Sequence, residues 1–165
     1  MAHFAELESK TDPTGFTSDT HQVVKRVVVV ANDIEANGGT LGDNDCHVDG
    51  ETWCSNFFKG GSWKQTSYNN NFRKQYCGNE SHFYDSFKDK FIELQPFPSW
   101  YLDNNDDWQP PVNFPNTVDI GGLRANATWD EDNRRWIGRT FDHTTDPVTE
   151  TPYVWDATNL QWNEG

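Results

Sequence analysis

Val23-Val24-Lys25-Arg26-Val27-Val28-Val29-Val30 decides the fold class. Six valines broken only by a Lys-Arg pair read as a β-strand, because branched side chains restrict χ1 and suit a pleated, covered surface. So apolar a run predicts a central strand, buried on both faces at its end. Upstream, Ala2-His3-Phe4-Ala5-Glu6-Leu7 alternates weakly, and the polar stretch Ser9 to His21 carries Pro13 and Gly15. Residues 1–31 therefore read as an opening hairpin.

Working outward, Asn32 to Gly50 is rich in Gly, Asp and Asn and reads as a long surface loop. A single short helix is predicted over about 50–58, capped by Asp49 or Gly50 and stopped by Gly60-Gly61. Trp53, Phe57 and Phe58 fall at helical spacing within it. From Ser62 onward the chain is aromatic and turn-rich. Asp, Asn, Gly and Pro make up 53 of the 165 residues, which favours short strands separated by turns. The expected fold is mainly β: short strands and hairpins, long polar loops, and at most one short helix. The expected division is residues 1–98 as an N-terminal β-rich core and 99–165 as a tryptophan-bearing hairpin module.

Charge and composition exclude several functions. The 26 acidic and 13 basic side chains leave a net −13, which works against nucleic-acid binding because phosphates must be neutralised by Lys and Arg. No apolar run approaches the roughly 18 residues of a membrane span, so no membrane insertion is expected. Met1-Ala2-His3-Phe4-Ala5-Glu6 has no basic segment leading into an apolar stretch, so no secretory signal is read. Three cysteines, an odd number, argue against a disulfide framework. Against the acidic surplus stand 8 Trp, 11 Phe and 5 Tyr, whose large burial payload points to a folded chain.

The aromatics recur in a frame. Trp129-Asp130 is followed by Trp136, Trp155-Asp156 by Trp162, and Tyr84-Asp85 by Phe91; Leu102-Asp103 with Trp108 is one residue shorter. Each unit reads as a hairpin in which Asp bonds a backbone N–H of the turn. Asn133 and Asn159 sit where a left-handed residue closes such a turn. The register stays open: a three-residue loop would put the two tryptophans on opposite faces, an even-length loop on one face.

No catalytic set is visible. There is no Gly-x-Ser-x-Gly elbow and no Gly-rich phosphate loop. Cys46, His47, Cys54 and Cys77 do not have zinc-site spacing. Asp45, His47, Asp49 and Gly50 match a calcium loop poorly; Asp103 to Asp107 is the other Asp-rich candidate. No cofactor or metal is expected. One charge feature stands out: no acid lies between Glu51 and Glu80, where Lys59, Lys64, Arg73 and Lys74 sit. A basic island in an acidic chain suits contact with an acidic neighbour, so Lys64, Arg73 and Lys74 are candidate interface residues, with Arg73 and Lys74 expected to be reversible in charge without harm to the fold. Trp129, Trp136, Trp155 and Trp162 are the aromatic interface candidates.

The tracts Gly61-Ser62-Trp63-Lys64-Gln65-Thr66-Ser67-Tyr68-Asn69, Asn71-Phe72-Arg73-Lys74-Gln75-Tyr76 and Pro96-Phe97-Pro98-Ser99-Trp100-Tyr101-Leu102-Asp103, with Trp108-Gln109-Pro110-Pro111, are distinctive. Together with the opening residues and the valine strand, they resemble a family of small virion-associated proteins of marine tailed bacteriophages, cyanophages especially. After Tyr76 the run Cys77-Gly78-Asn79-Glu80 departs from the family pattern. The resemblance implies a non-enzymatic, multi-copy structural component on the tail apparatus or outer capsid, located in the virion after assembly in the host cytoplasm. Its implied partners are other virion proteins and further copies of itself. The alternative is a carbohydrate-binding or host-adhesion module that stacks exposed tryptophans on host-surface glycans.

Overall fold

A computed structural model describes residues 1–31, 50–78 and 80–165. It is mainly β, with 46% of the described residues in strands against 5% in a helix. The chain forms two compact units, Met1–Gln95 and Pro96–Gly165.

In the first unit, β1 (Ala2–Thr11) and β2 (Thr20–Val30) form the expected opening hairpin. A helix α1 (Gly50–Phe57) follows, then β3 (Ser62–Thr66), β4 (His82–Asp85) and β5 (Lys90–Glu93). The antiparallel sheet has the order β3-β1-β2-β4-β5, so the valine strand is central. Its two faces carry separate cores. Ala2, Phe4, Val30, Cys54 and Trp63 pack on the helix side, and Ala5, Leu7, Val24, Cys77, Tyr84 and Phe91 on the other. The valine run is nevertheless not covered on both faces at its end, since Val29 is 54% exposed while Val30 is buried.

The Lys-Arg interruption has a physical cause. A register shift between Glu6 and Leu7 lies opposite it, and Glu6 takes both cations: Arg26 Nε donates to Oε2 at 2.6 Å and Lys25 Nζ to Oε1 at 3.2 Å. The Arg26 guanidinium also lies over the Phe58 and Trp63 rings, 4.8 and 5.6 Å from their centres.

The helix falls where expected, and its small residues make the buried face. Gly50 and Cys54 turn inward, one helical turn apart, while Phe57 is 63% exposed and stacks on Trp53. Small residues are needed there because the Phe4 ring fills the space beside Gly50. The helix ends in a Schellman arrangement: Gly60 N–H donates to Ser55 O, Lys59 N–H to Asn56 O, and Lys59 is left-handed with φ 58°.

The second unit contains β6 (Tyr101–Leu102), β7 (Trp108–Gln109), β8 (Asp119–Ile120), β9 (Leu123–Arg124), β10 (Asn126–Asp130), β11 (Arg135–Asp142), β12 (Thr149–Asp156) and β13 (Gln161–Glu164). β10 to β13 form a four-stranded meander, and β6-β7 and β8-β9 are two-stranded ribbons. All four repeat frames are hairpins. Trp129 faces Trp136, Trp155 faces Trp162, Tyr84 faces Phe91, and Leu102 faces Trp108. The loops of the first three have four residues, so the even-length register holds and the ring pairs share a face.

The turn chemistry differs from expectation in one respect. The left-handed residue is the last of each four-residue loop, Asp89 (φ 50°), Arg134 (φ 49°) and Leu160 (φ 52°), not Asn133 or Asn159. Those asparagines instead bond the first Asp. Asn133 Nδ2 donates to Asp130 Oδ2 and Asn159 Nδ2 to Asp156 Oδ2, both at 2.8 Å. They brace the aspartate, and the turn closes one residue later.

Two measurements check this account. Ala is the better helix former by about 1 kcal/mol, yet Gly50→Ala drives a methyl into the fully buried Phe4 ring. Overpacking of that kind costs about 1–3 kcal/mol, so a lower urea midpoint is expected; an unchanged or higher one would place α1 elsewhere. The second concerns acid. Burial works to raise the Asp12 pKa, but hydrogen bonds from the N–H and hydroxyl groups of Thr14 and Thr17 outweigh it, taking it from 3.8 to about 2. Asp130, Asp142 and Asp156 are lowered too, chiefly by bonds from Asn133, Thr144 and Asn159. Carboxylates with depressed folded-state pKa stabilise above their unfolded value and lose that contribution as pH falls. Thermal midpoints should therefore hold above pH 4 and drop between pH 3.8 and about 2. A midpoint flat across that window would remove these caps from the stability account.

Candidate functional site

The basic island folds into an internal clamp in the first unit. Arg73 is left-handed (φ 53°), and its side chain is only 17% exposed. Its Nη1 donates to Glu51 Oε1 at 2.7 Å and to the Gln65 carbonyl at 2.8 Å, and its Nε donates to Asp89 Oδ1 at 2.7 Å. Glu51 also accepts from Gln65 N–H at 2.9 Å and from Lys64 Nζ at 3.3 Å. Tyr84 completes the set: its hydroxyl donates to Asp89 Oδ1, and its ring lies 5.4 Å from Lys64 Nζ and 5.7 Å from the Arg73 guanidinium carbon. The segment is acid-free in sequence only. Acids from α1 and the β4–β5 turn meet it in space.

Each shift in the clamp has a cause. Burial pushes the Tyr84 hydroxyl up, and its bond to Asp89 pushes it further, to about 12. Burial works to raise Asp89, but Tyr84 and Arg73 outweigh it and hold the carboxyl low. Burial opposes the Arg73 charge, while Glu51 and Asp89 raise its pKa. Lys74, also left-handed (φ 71°), lies near His82, whose imidazole is held below its ordinary value by burial, against Glu93 and with help from Lys74. The expectation that Arg73 could be reversed in charge without touching the fold is thus corrected: its guanidinium joins a helix, a strand and a hairpin.

The tryptophans assemble in the second unit. Trp129, Trp136 and Trp155 form a buried cluster, packed by Phe97, Trp100, Val112 and Trp162. Trp129 and Trp136 meet edge-on at 5.2 Å, and Trp155 and Trp162 at 5.3 Å. Three of the indole edges have acceptors: Trp129 Nε1 donates to Glu131, Trp136 Nε1 to the Val112 carbonyl, and Trp162 Nε1 to the Thr117 carbonyl. Trp162 lies half-buried over Gly138, where a Cβ would press its ring at 3.1 Å.

Beside this cluster is a groove of about 470 Å³, bounded by Pro111 to Asn116 on one side and by Ala157 and Leu160 on the other, with Trp155 in its lining. Sequence reasoning missed it and the acidic half of the clamp. The Pro110-Pro111…Pro115 spacing was the available signal for the groove.

Cys54 and Cys77 are buried free thiols, raised by burial to about 12 and about 11. Asp45, Cys46, His47 and Asp49 lie outside the described residues. Among the described residues, no group of three or more His, Cys, Asp or Glu is gathered to hold a metal. Asp103 is a turn cap, accepting Asn105 N–H at 2.8 Å and Asp107 N–H at 3.0 Å. Among the described residues, no helix is long and apolar enough to cross a membrane. The chain matches no known family model, no curated protein and no solved structure.

The clamp yields a paired test. Arg73→Met leaves Asp89 without its guanidinium and Glu51 with Lys64 as its remaining cation, and should cost about 1.5–3 kcal/mol in chemical denaturation, the range for hydrogen bonds to charged groups. Asp89→Asn should bring the Tyr84 tyrosinate titration, followed by ultraviolet absorbance, down from about 12, with burial keeping it above an ordinary tyrosine. Loss of neither stability nor Tyr84 perturbation would dissolve the clamp.

Proposed function

We propose that this chain is a non-enzymatic structural component of a tailed-phage virion, present in several copies at an accessory position on the tail apparatus or outer capsid. One observation carries the reading: the employment of its ionisable side chains. Carboxylates cap turns at Asp12, Asp85, Asp103, Asp130 and Asp156, or close ion pairs at Glu6, Glu51 and Asp89. Both described thiols are buried and raised, which suppresses the thiolate that catalysis would use. These groups serve architecture rather than a reacting centre. The resemblance of the Trp63–Tyr76 and Pro96–Pro111 tracts supplies the setting. An acidic surface suits a particle exterior and disfavours contact with packaged DNA.

The adhesion alternative fares unevenly at the tryptophans. Trp129, Trp136 and Trp155 are 6–7% exposed, too covered to serve as stacking platforms, whereas Trp100, Trp108 and Trp162 are half-buried. Mass spectrometry of purified, DNase-treated particles of the encoding phage tests the main reading. The chain is expected among the structural proteins at multi-copy abundance. Detection in infected cells but not in particles would overturn it and favour a host-directed or assembly factor.

A further inference from the structure

The groove in the second unit is pre-formed. The segment bearing Pro111 to Asn116 is pinned by two indole hydrogen bonds, Trp136 Nε1 to the Val112 carbonyl at 2.9 Å and Trp162 Nε1 to the Thr117 carbonyl at 2.8 Å. Phe114 sits edge-on to Trp136 at 4.9 Å and leaves 54% of its surface exposed. Across the groove, Leu160 is 59% exposed, held out by its left-handed backbone in the β12–β13 turn. Sites of this kind bind with little ordering cost.

Its chemistry is unlike that of the rest of the chain. Charged residues make up 24% of the sequence, yet none of the eight residues lining the groove is ionisable. An anion would find no cation there, and a metal ion no carboxylate. Two exposed amides, Asn113 and Asn116, face no competing partner: among the described residues neither side chain makes a hydrogen bond. Each amide offers one acceptor oxygen and two N–H donors.

We infer that this groove binds neutral carbohydrate. A pyranose ring has an apolar C–H face and a rim of hydroxyls that both donate and accept. Phe114 and Leu160 supply apolar walls for the face, and Asn113 and Asn116 supply both senses of hydrogen bond for the rim. An apolar peptide side chain would fill the same walls but leave the two amides desolvated and unpaired, a cost that hydroxyls avoid. The volume, about 470 Å³, falls within the range of small-molecule sites. The site uses Phe114, not the buried tryptophan faces, and does not depend on where the protein resides.

The test uses the full chain, isotope-labelled, titrated with maltotriose, cellotriose and triacetylchitotriose to about 10 mM, enough to detect millimolar sites by NMR. At least one trisaccharide should shift the Asn113 and Asn116 side-chain amide signals and the Trp155 indole. The Asn113→Ala, Asn116→Ala double variant should lose affinity about tenfold or more with an unchanged melting midpoint, because the amides are exposed and make no bond within the fold. Phe114→Ala should weaken binding further, read only if its folded spectrum is intact, since Phe114 packs on Trp136. Silence of both amides with all three sugars overturns the assignment. So does full affinity in the double variant, or selective capture of a hydrophobic peptide in place of sugars. Presence or absence of the chain in virions leaves this result untouched.

Discussion

A carboxylate at the first position of a turn, accepting backbone N–H groups two or three residues on, is the interaction on which the structure depends. Asp12, Asp85, Asp103, Asp119, Asp130, Asp142 and Asp156 all play this part. The backbone donors of a tight turn have no ladder partner, and an ionised oxygen satisfies them more strongly than a neutral one. With the turn fixed, the register is fixed, and with the register the face on which each ring lies. A slip of one residue at Asp130 would carry Trp129 or Trp136 out of the buried cluster. Much of the acidity that a composition argument assigns to solubility is thus turn chemistry.

The two units use different means to cover such short strands. In the first, one sheet is covered on both sides: Cys54, Phe58 and Trp63 take the Phe4 face, and Cys77, Tyr84 and Phe91 take the Ala5 face. The Glu51–Arg73–Asp89 clamp ties helix, strand and hairpin across it. In the second, indoles do the work of a larger aliphatic core. Each contributes area through its ring, and Trp136 and Trp162 add a tether through Nε1, so these two both pack and pin the chain around Pro111.

Local patterns were legible in the sequence, and spatial convergence was not. The valine strand, the opening hairpin, the helix near 50–58 and the Asp-framed hairpins all follow from period, branching and turn residues within a few positions of one another. The buried face of the helix was not legible, because the close approach of Phe4 to Gly50 is a constraint set by a strand far away in sequence. Likewise Arg73 looked unopposed because Glu51 and Asp89 lie 22 and 16 residues from it along the chain. The left-handed positions at Arg134 and Leu160 escaped notice because side-chain identity there carries no turn signal.

The meander of the second unit also bears on how the chain acquires its shape. From β10 to β13, order along the sheet is order along the chain, and every partner is the next strand in sequence. Each pairing closes only a short loop, so little entropy is lost before contacts form. Folding rate falls with the mean sequence separation of contacts, and this meander keeps that separation low for a β structure. The first unit must instead bring β3 to the far side of β1 after the whole of β2 and α1 have been laid down. Pairing in the tail can therefore zip turn by turn, while the first sheet waits for its most distant strand.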